Sequence, residues 1–146
     1  MPRRLLIGAG LAVVVALSGC GAEVPTLRTS YPPARAGDKP LPVSLIDQTG
    51  LVAAIAAAPG AEAETGVVAV PGRADQLRVS WAGGDCDDRV TLVLNRLGDA
   101  FDLAIHNHPQ FGAGLVCSGG SLPRTLDIEF TTDVAPEQVT LNVQYP

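Results

Sequence analysis

The stretch Val90–His106 (VTLVLNRLGDAFDLAIH) decides the fold. Val90–Leu94 and Phe101–Ile105 each carry an apolar residue at every second position, and Gly98-Asp99 lies between them. A period of two is typical of strands that have one buried and one solvent-facing side. A Gly-Asp pair tolerates the positive φ angles of a tight hairpin. The stretch therefore predicts two paired strands joined by a two-residue turn.

The same alternation recurs on both sides of this hairpin, and connections rich in Gly and Pro separate the segments. Five to seven short strands within about 100 residues are typical of a β-sandwich. We therefore expect an all-β domain over residues 43–146, a small antiparallel β-sandwich that is immunoglobulin-like in general architecture. Its Trp81 precedes Cys86, whereas the immunoglobulin signature has the Trp between two Cys. The further predicted strands are Val43–Ile46, Val67–Val70, Leu77–Ala82, Leu126–Thr131 and Val139–Gln144.

The segment Leu51–Ala58 (LVAAIAAA) allows two interpretations. Its alanines favour a two-turn helix that ends before Pro59-Gly60. It is also consistent with an extended apolar edge strand, because periodicity does not separate the two in so short a run.

The N-terminal residues have the organisation of an export signal. Arg3 and Arg4 precede Leu5–Leu17, an uncharged apolar run of 13 residues. A membrane-spanning helix needs about 20 apolar residues, so the run is typical of a secretory h-region. It ends in Leu17-Ser18-Gly19-Cys20, which resembles the lipobox of bacterial lipoproteins.

The resemblance to bacterial lipoproteins covers only this segment, but all four lipobox positions match. It implies that Cys20 receives a diacylglyceryl thioether and that signal peptidase II cleaves before it. The chain then has a signal peptide (1–19), a lipidated and Pro-rich disordered tether (20–42) and the β-sandwich domain (43–146). The implied location is the extracytoplasmic face of the cell membrane, with general secretion favoured over the twin-arginine route.

The charge balance argues against nucleic-acid binding. The 146 residues include 10 basic and 15 acidic side chains. Loss of Arg3 and Arg4 with the signal peptide leaves eight basic residues and a net charge of −7. A nucleic-acid footprint needs clustered Lys and Arg, which this chain lacks.

With Cys20 lipidated, Cys86 and Cys117 remain as an even pair in an oxidising compartment. We therefore expect a disulfide between them. Turn residues flank both cysteines (Gly83-Gly84-Asp85 and Ser118-Gly119-Gly120), so the bridge should join loops or strand ends.

His106 and His108 are the candidate metal ligands. Residues i and i+2 of a strand face the same side, so both imidazoles can reach one Cu²⁺ or Zn²⁺ ion. A third ligand has to come from elsewhere in the chain, and the alternative is a pair of exposed histidines at a strand end.

Asp87 and Asp88 flank the predicted bridge and are expected to face solvent as part of a binding surface. No nucleophile elbow, separated triad or phosphate-binding loop is present, and Trp81 alternates with core residues. We therefore expect no enzyme and no cofactor. The expected function is a non-catalytic binding or accessory domain that contacts an envelope protein or a cell-wall component, with metal binding as the alternative.

Overall fold

A computed structural model describes residues 41–58, 64–110, 117 and 119–145. The expected signal peptide, Cys20 and nearly all of the tether lie outside these residues. The described part contains eight strands and one turn of 3₁₀ helix. They are β1 (Val43–Asp47), β2 (Val52–Ala57), β3 (Gly66–Val70), β4 (Arg73–Gly84), β5 (Asp87–Leu97), β6 (Ala100–Pro109), β7 (Ser121–Phe130), the 3₁₀ turn (Pro136–Gln138) and β8 (Val139–Gln144).

The hairpin predicted around Gly98-Asp99 is confirmed. β5 and β6 pair antiparallel from Asp87 to Pro109, and Gly98 has a φ of 68°. That angle lies in the left-handed region, which a residue without a Cβ adopts at no steric cost.

Leu51–Ala58 forms a strand, which settles the alternative that the sequence leaves open. β2 pairs antiparallel with β7 at one edge of its sheet, and Ile55 points into the core. A helix of eight residues is too short to be stable by itself. Pairing with β7 therefore overrides the helix propensity of the alanines.

Two four-stranded sheets form an all-β sandwich. Sheet A has the order β1-β5-β6-β8, and sheet B has the order β2-β7-β4-β3. Sheet B is antiparallel throughout, but β1 pairs parallel with β5 and β8 pairs parallel with β6. The prediction of antiparallel pairing is therefore wrong for both edges of sheet A. Alternating burial identifies a strand with one buried face, but it carries no information about the direction of the neighbouring strand.

The core lies between the sheets and includes most of the inward positions predicted from the alternation. It also contains Ile55, Val134 and Leu41, the last of which falls within the expected tether. Trp81, Leu92, Leu103 and Leu126 are completely buried within one apolar cluster that draws on both sheets. Trp81 is thus a core residue, as its alternation with Leu77 and Val79 predicts.

The strands run between two ends of the sandwich, the bridge end and the turn end. The bridge end carries the β4–β5 turn (85–86), residues 117 and 119–120 before β7, and the C-terminal end of β6. The turn end carries the connections 48–51, 71–72, 98–99 and 131–138. The chain enters β1 at the bridge end, because Pro42 accepts a hydrogen bond from the backbone N–H of Val90 at 3.1 Å.

Candidate functional site

The predicted disulfide is present at the bridge end. Cys86 and Cys117 are bonded, with their Cα atoms 5.6 Å apart. The backbone N–H of Gln110 donates to the carbonyl of Cys86 at 2.8 Å, and that of Asp85 donates to Gly120 at 3.2 Å. The bridge therefore joins the β4–β5 turn to the segment that leads into β7, and hydrogen bonds fix the turn from two further directions.

Asp87 turns its carboxylate toward the protein, in contrast to the expected solvent-facing position. Its Oδ2 accepts a 2.6 Å hydrogen bond from the backbone N–H of Gly84. A Cβ placed on Gly83 would lie 3.0 Å from this Oδ2 and 3.1 Å from Nε of Arg124. The Gly83-Gly84 pair therefore leaves the space that the carboxylate and the guanidinium occupy.

Burial raises the pKa of Asp87 above its ordinary value of 3.8. The hydrogen bond from Gly84 and the positive charge of Arg124 act in the opposite direction without cancelling it. This carboxylate stabilises the turn that follows β4, and it is not a freely exposed binding group.

Arg124 is the polar residue at this end that sequence reasoning missed. It is only 3% exposed, and it lies opposite Trp81 in the β4–β7 register. Its position carries a detectable signal, because Arg124 is in phase with Leu122, Leu126 and Ile128 on the inward side of β7. A charged residue at a core position indicates a neighbouring carboxylate, and here that neighbour is Asp87.

A second polar contact joins the two sheets at the bridge end. Trp81 donates from Nε1 to Oδ1 of Asn107 at 3.2 Å, and Nδ2 of Asn107 donates to the carbonyl of Gln144 at 3.4 Å. Asn107 is only 5% exposed, so these bonds satisfy a side chain that the core would otherwise leave without partners.

His106 and His108 both lie on the outward side of β6, as the i, i+2 spacing predicts. Their neighbours Ile105 and Asn107 point inward. Nε2 of His108 is 3.0 Å from Oγ1 of Thr91, and this oxygen in turn accepts a 3.3 Å hydrogen bond from Ser44. His108 is therefore held by a neighbouring strand through one of its two ring nitrogens.

A third metal ligand is not found beside the two histidines. Across residues 41–58, 64–110, 117 and 119–145, no three His, Cys, Asp or Glu side chains come together in a metal-binding arrangement. Asp88 is exposed and lies at a register shift of β5, between Asp87 opposite Pro109 and Arg89 opposite His108. Asp88 on β5 and the two histidines on β6, His106 and His108, therefore lie on adjacent strands at the bridge end. The carboxylate of Asp87 instead accepts a hydrogen bond from Gly84 within its own turn.

The comparisons with known proteins found no relative. A scan against protein-family models, a search of curated proteins and a search of solved structures each returned no match. The described residues include no helix with the length and apolar character needed to cross a membrane.

Proposed function

We propose that the protein is a bacterial lipoprotein, anchored at the extracytoplasmic face of the cell membrane through Cys20. The observation that carries this proposal is Leu17-Ser18-Gly19-Cys20, directly after the apolar run Leu5–Leu17. Each buried CH₂ group contributes about 0.8 kcal/mol, so two or three acyl chains hold a protein stably where a single chain does not.

The tether and the disulfide support this location. The proposed spacer, Gly21–Pro42, contains five prolines and therefore favours extended conformations. Disulfides persist in exported proteins and are rare in the cytosol, so the bond between Cys86 and Cys117 is consistent with export.

The domain acts, in this proposal, as a non-catalytic binding or accessory module for an envelope protein or a cell-wall component. Its sandwich is immunoglobulin-like in general architecture, a form in which loops and outer faces carry binding. The proposed contact surface contains Asp88, His106 and His108, three side chains on adjacent strands beside the disulfide.

Crosslinking and capture from envelope extracts test this contact surface. The Asp88→Ala and His106→Ala variants should recover less of the partner than the wild type, and Asn95→Ala, on the same sheet toward the turn end, should recover as much. Unchanged capture by both surface variants would contradict the assignment. Turnover of an envelope substrate that either variant abolishes would replace binding with catalysis.

Metal binding by His106 and His108 is the second candidate, favoured by their shared face on β6. Because Thr91 contacts Nε2 of His108, coordination through that nitrogen has to break this hydrogen bond. If the pair binds metal in this way, titration with Cu²⁺ or Zn²⁺ should show tighter binding by Thr91→Val than by the wild type. His106→Ala should bind more weakly, and the absence of binding by all three proteins would eliminate this candidate.

A further inference from the structure

The turn end carries two grooves that share Asp133, Val134 and Gln138. The smaller has a volume of about 200 Å³, and the larger has a volume of about 350 Å³. Both lie at the opposite end of the strands from Pro42, where the tether joins. The ten residues of β6 rise about 3.3 Å each, which separates the grooves from the tether by roughly 30 Å.

Opposite charges line the smaller groove. The polar residues that line it are Arg96, Asp99, Thr132, Asp133 and Gln138. Its apolar lining comes from Leu51, Phe101 and Val134. Within the described residues Arg96 is exposed and forms no ion pair with a carboxylate.

Hydrogen bonds hold the walls of this groove in position. Nε of Arg96 donates to the carbonyl of Gly98 at 2.9 Å. Gln138 donates from Nε2 to the carbonyl of Asp99 at 2.9 Å, and its Oε1 accepts from the backbone N–H of Ala135 at 2.8 Å. Preorganised groups lose less entropy when a ligand binds, so this arrangement favours recognition of a small polar molecule.

The larger groove is mainly apolar. Ala69, Ala74, Ala135 and Pro136 line it together with the shared Val134, and Arg73 on its rim is already paired with Asp75 at 2.9 Å. The two grooves together therefore offer a charged compartment beside an apolar one.

We propose that the turn end binds a small zwitterion, namely an amino acid or dipeptide with free termini and an apolar side chain. A guanidinium binds a carboxylate through two parallel hydrogen bonds, so Arg96 receives the ligand's carboxylate. Asp99 and Asp133 receive its ammonium group, and the larger groove receives the side chain.

This ligand site is separate from the contact surface at the bridge end and goes beyond the proposed function. The chain enters β1 at the bridge end, so a ligand in the grooves would bind at the end of the domain that is farther from the proposed anchor.

Titration of the full-length chain in detergent with alanyl-leucine tests the site. Amide NMR signals should shift at residues 97–100 and 132–138. Arg96→Gln should weaken binding about tenfold, since it removes a charge-assisted pair of hydrogen bonds. Arg89→Gln, which removes an exposed arginine at the bridge end, should leave the affinity unchanged.

Blocked forms of the same dipeptide test the contributions of its ammonium group and its carboxylate separately. N-acetyl-alanyl-leucine and alanyl-leucine amide should each bind at least about tenfold more weakly than the free dipeptide. Shifts confined to the bridge end, equal affinity of a blocked form, or full affinity in Arg96→Gln would overturn the proposal. Capture of an envelope partner at Asp88 and His106 is measured separately, so the ligand site can fail while the proposed function stands.

Discussion

Asp87 connects three features of the bridge end: the Gly83-Gly84 pair, the buried Arg124 and the disulfide turn. Its carboxylate accepts the Gly84 N–H and lies beside the guanidinium, so the buried arginine has an opposite charge nearby. A buried charge without such a neighbour is strongly destabilising. Asp87 and Arg124 therefore stabilise the fold at this end, and the outward-facing residues are the ones available to contact a partner.

Gly83→Ala tests the space around this carboxylate. The added Cβ meets Asp87 and Arg124 at 3.0–3.2 Å, so the free energy of unfolding should fall by about 1–2 kcal/mol. Gly66→Ala is the matched control in the same sheet, because its Cβ meets nothing within 4 Å and its φ is not positive. Urea unfolding measures both variants, and an equal effect at the two positions would contradict the packing described here.

Asp47 gives the turn after β1 a pH-dependent stability. Burial alone would raise the pKa of Asp47, but hydrogen bonds from the side chain and backbone of Thr49 and from the N–H groups of Val52 and Gly50 hold it below 3.8. A carboxyl with a lowered folded-state pKa stabilises the protein above its unfolded-state pKa. That stability is lost as the pH falls through the folded-state value.

Asp47→Asn should therefore lower the free energy of unfolding by about 0.5–1 kcal/mol near neutral pH. The difference from the wild type should shrink as the pH falls through the lowered folded-state pKa and Asp47 takes up a proton. Urea unfolding followed as a function of pH checks this. Asp88→Asn, at an exposed carboxylate, serves as the control, and a difference that persists at low pH would contradict the role of the charge.

Some residue roles follow from sequence and others do not. Alternation alone predicts that Trp81 is buried and that His106 and His108 share a face. The inward turn of Asp87 does not follow from sequence, because it depends on Arg124, which is 37 residues away and reaches the site only through the β4–β7 pairing. The contact of His108 with Thr91 likewise depends on the strand register.

At the scale of elements, the strands could be predicted but their partners could not. Every predicted period-two run coincides with a strand, although Leu126–Thr131 extends one residue beyond the end of β7 at Phe130. Burial of one face imposes that pattern. The parallel partners of β1 and β8 depend on how the chain passes from one sheet to the other, which local periodicity does not record. The strand identity of β2 similarly depends on the pairing with β7.

The disulfide is a covalent link between the β4–β5 turn and the segment that leads into β7. It closes a loop with a sequence separation of 31, for which chain entropy gives about 3–4 kcal/mol. The double variant Cys86→Ala/Cys117→Ala should lose about this much stability in urea unfolding. Equal stability of the double variant and the oxidised wild type would show that the bridge restrains neither the folded nor the unfolded chain.

At the scale of the whole molecule, the entry to β1 at Pro42, the disulfide and the polar bridge end lie together, and the two grooves lie at the other end. A spacer of about 20 residues spans roughly 25 Å when flexible, and more when proline-rich. Anchoring at Cys20 would therefore place the bridge end toward the membrane and leave the turn end open to the envelope. The net charge of −7 expected for the mature chain would also keep the domain away from anionic lipids.

Metabolic labelling with a fatty acid tests the central claim, anchoring through Cys20, most directly. The wild-type protein should incorporate the label and fractionate with membranes, and its mature form should begin at Cys20. The Cys20→Ala variant should remain unlabelled, whereas Cys86→Ala/Cys117→Ala should be labelled as the wild type is. A Cys20→Ala protein that still takes up the fatty acid, or a wild-type protein that does not, would contradict the account.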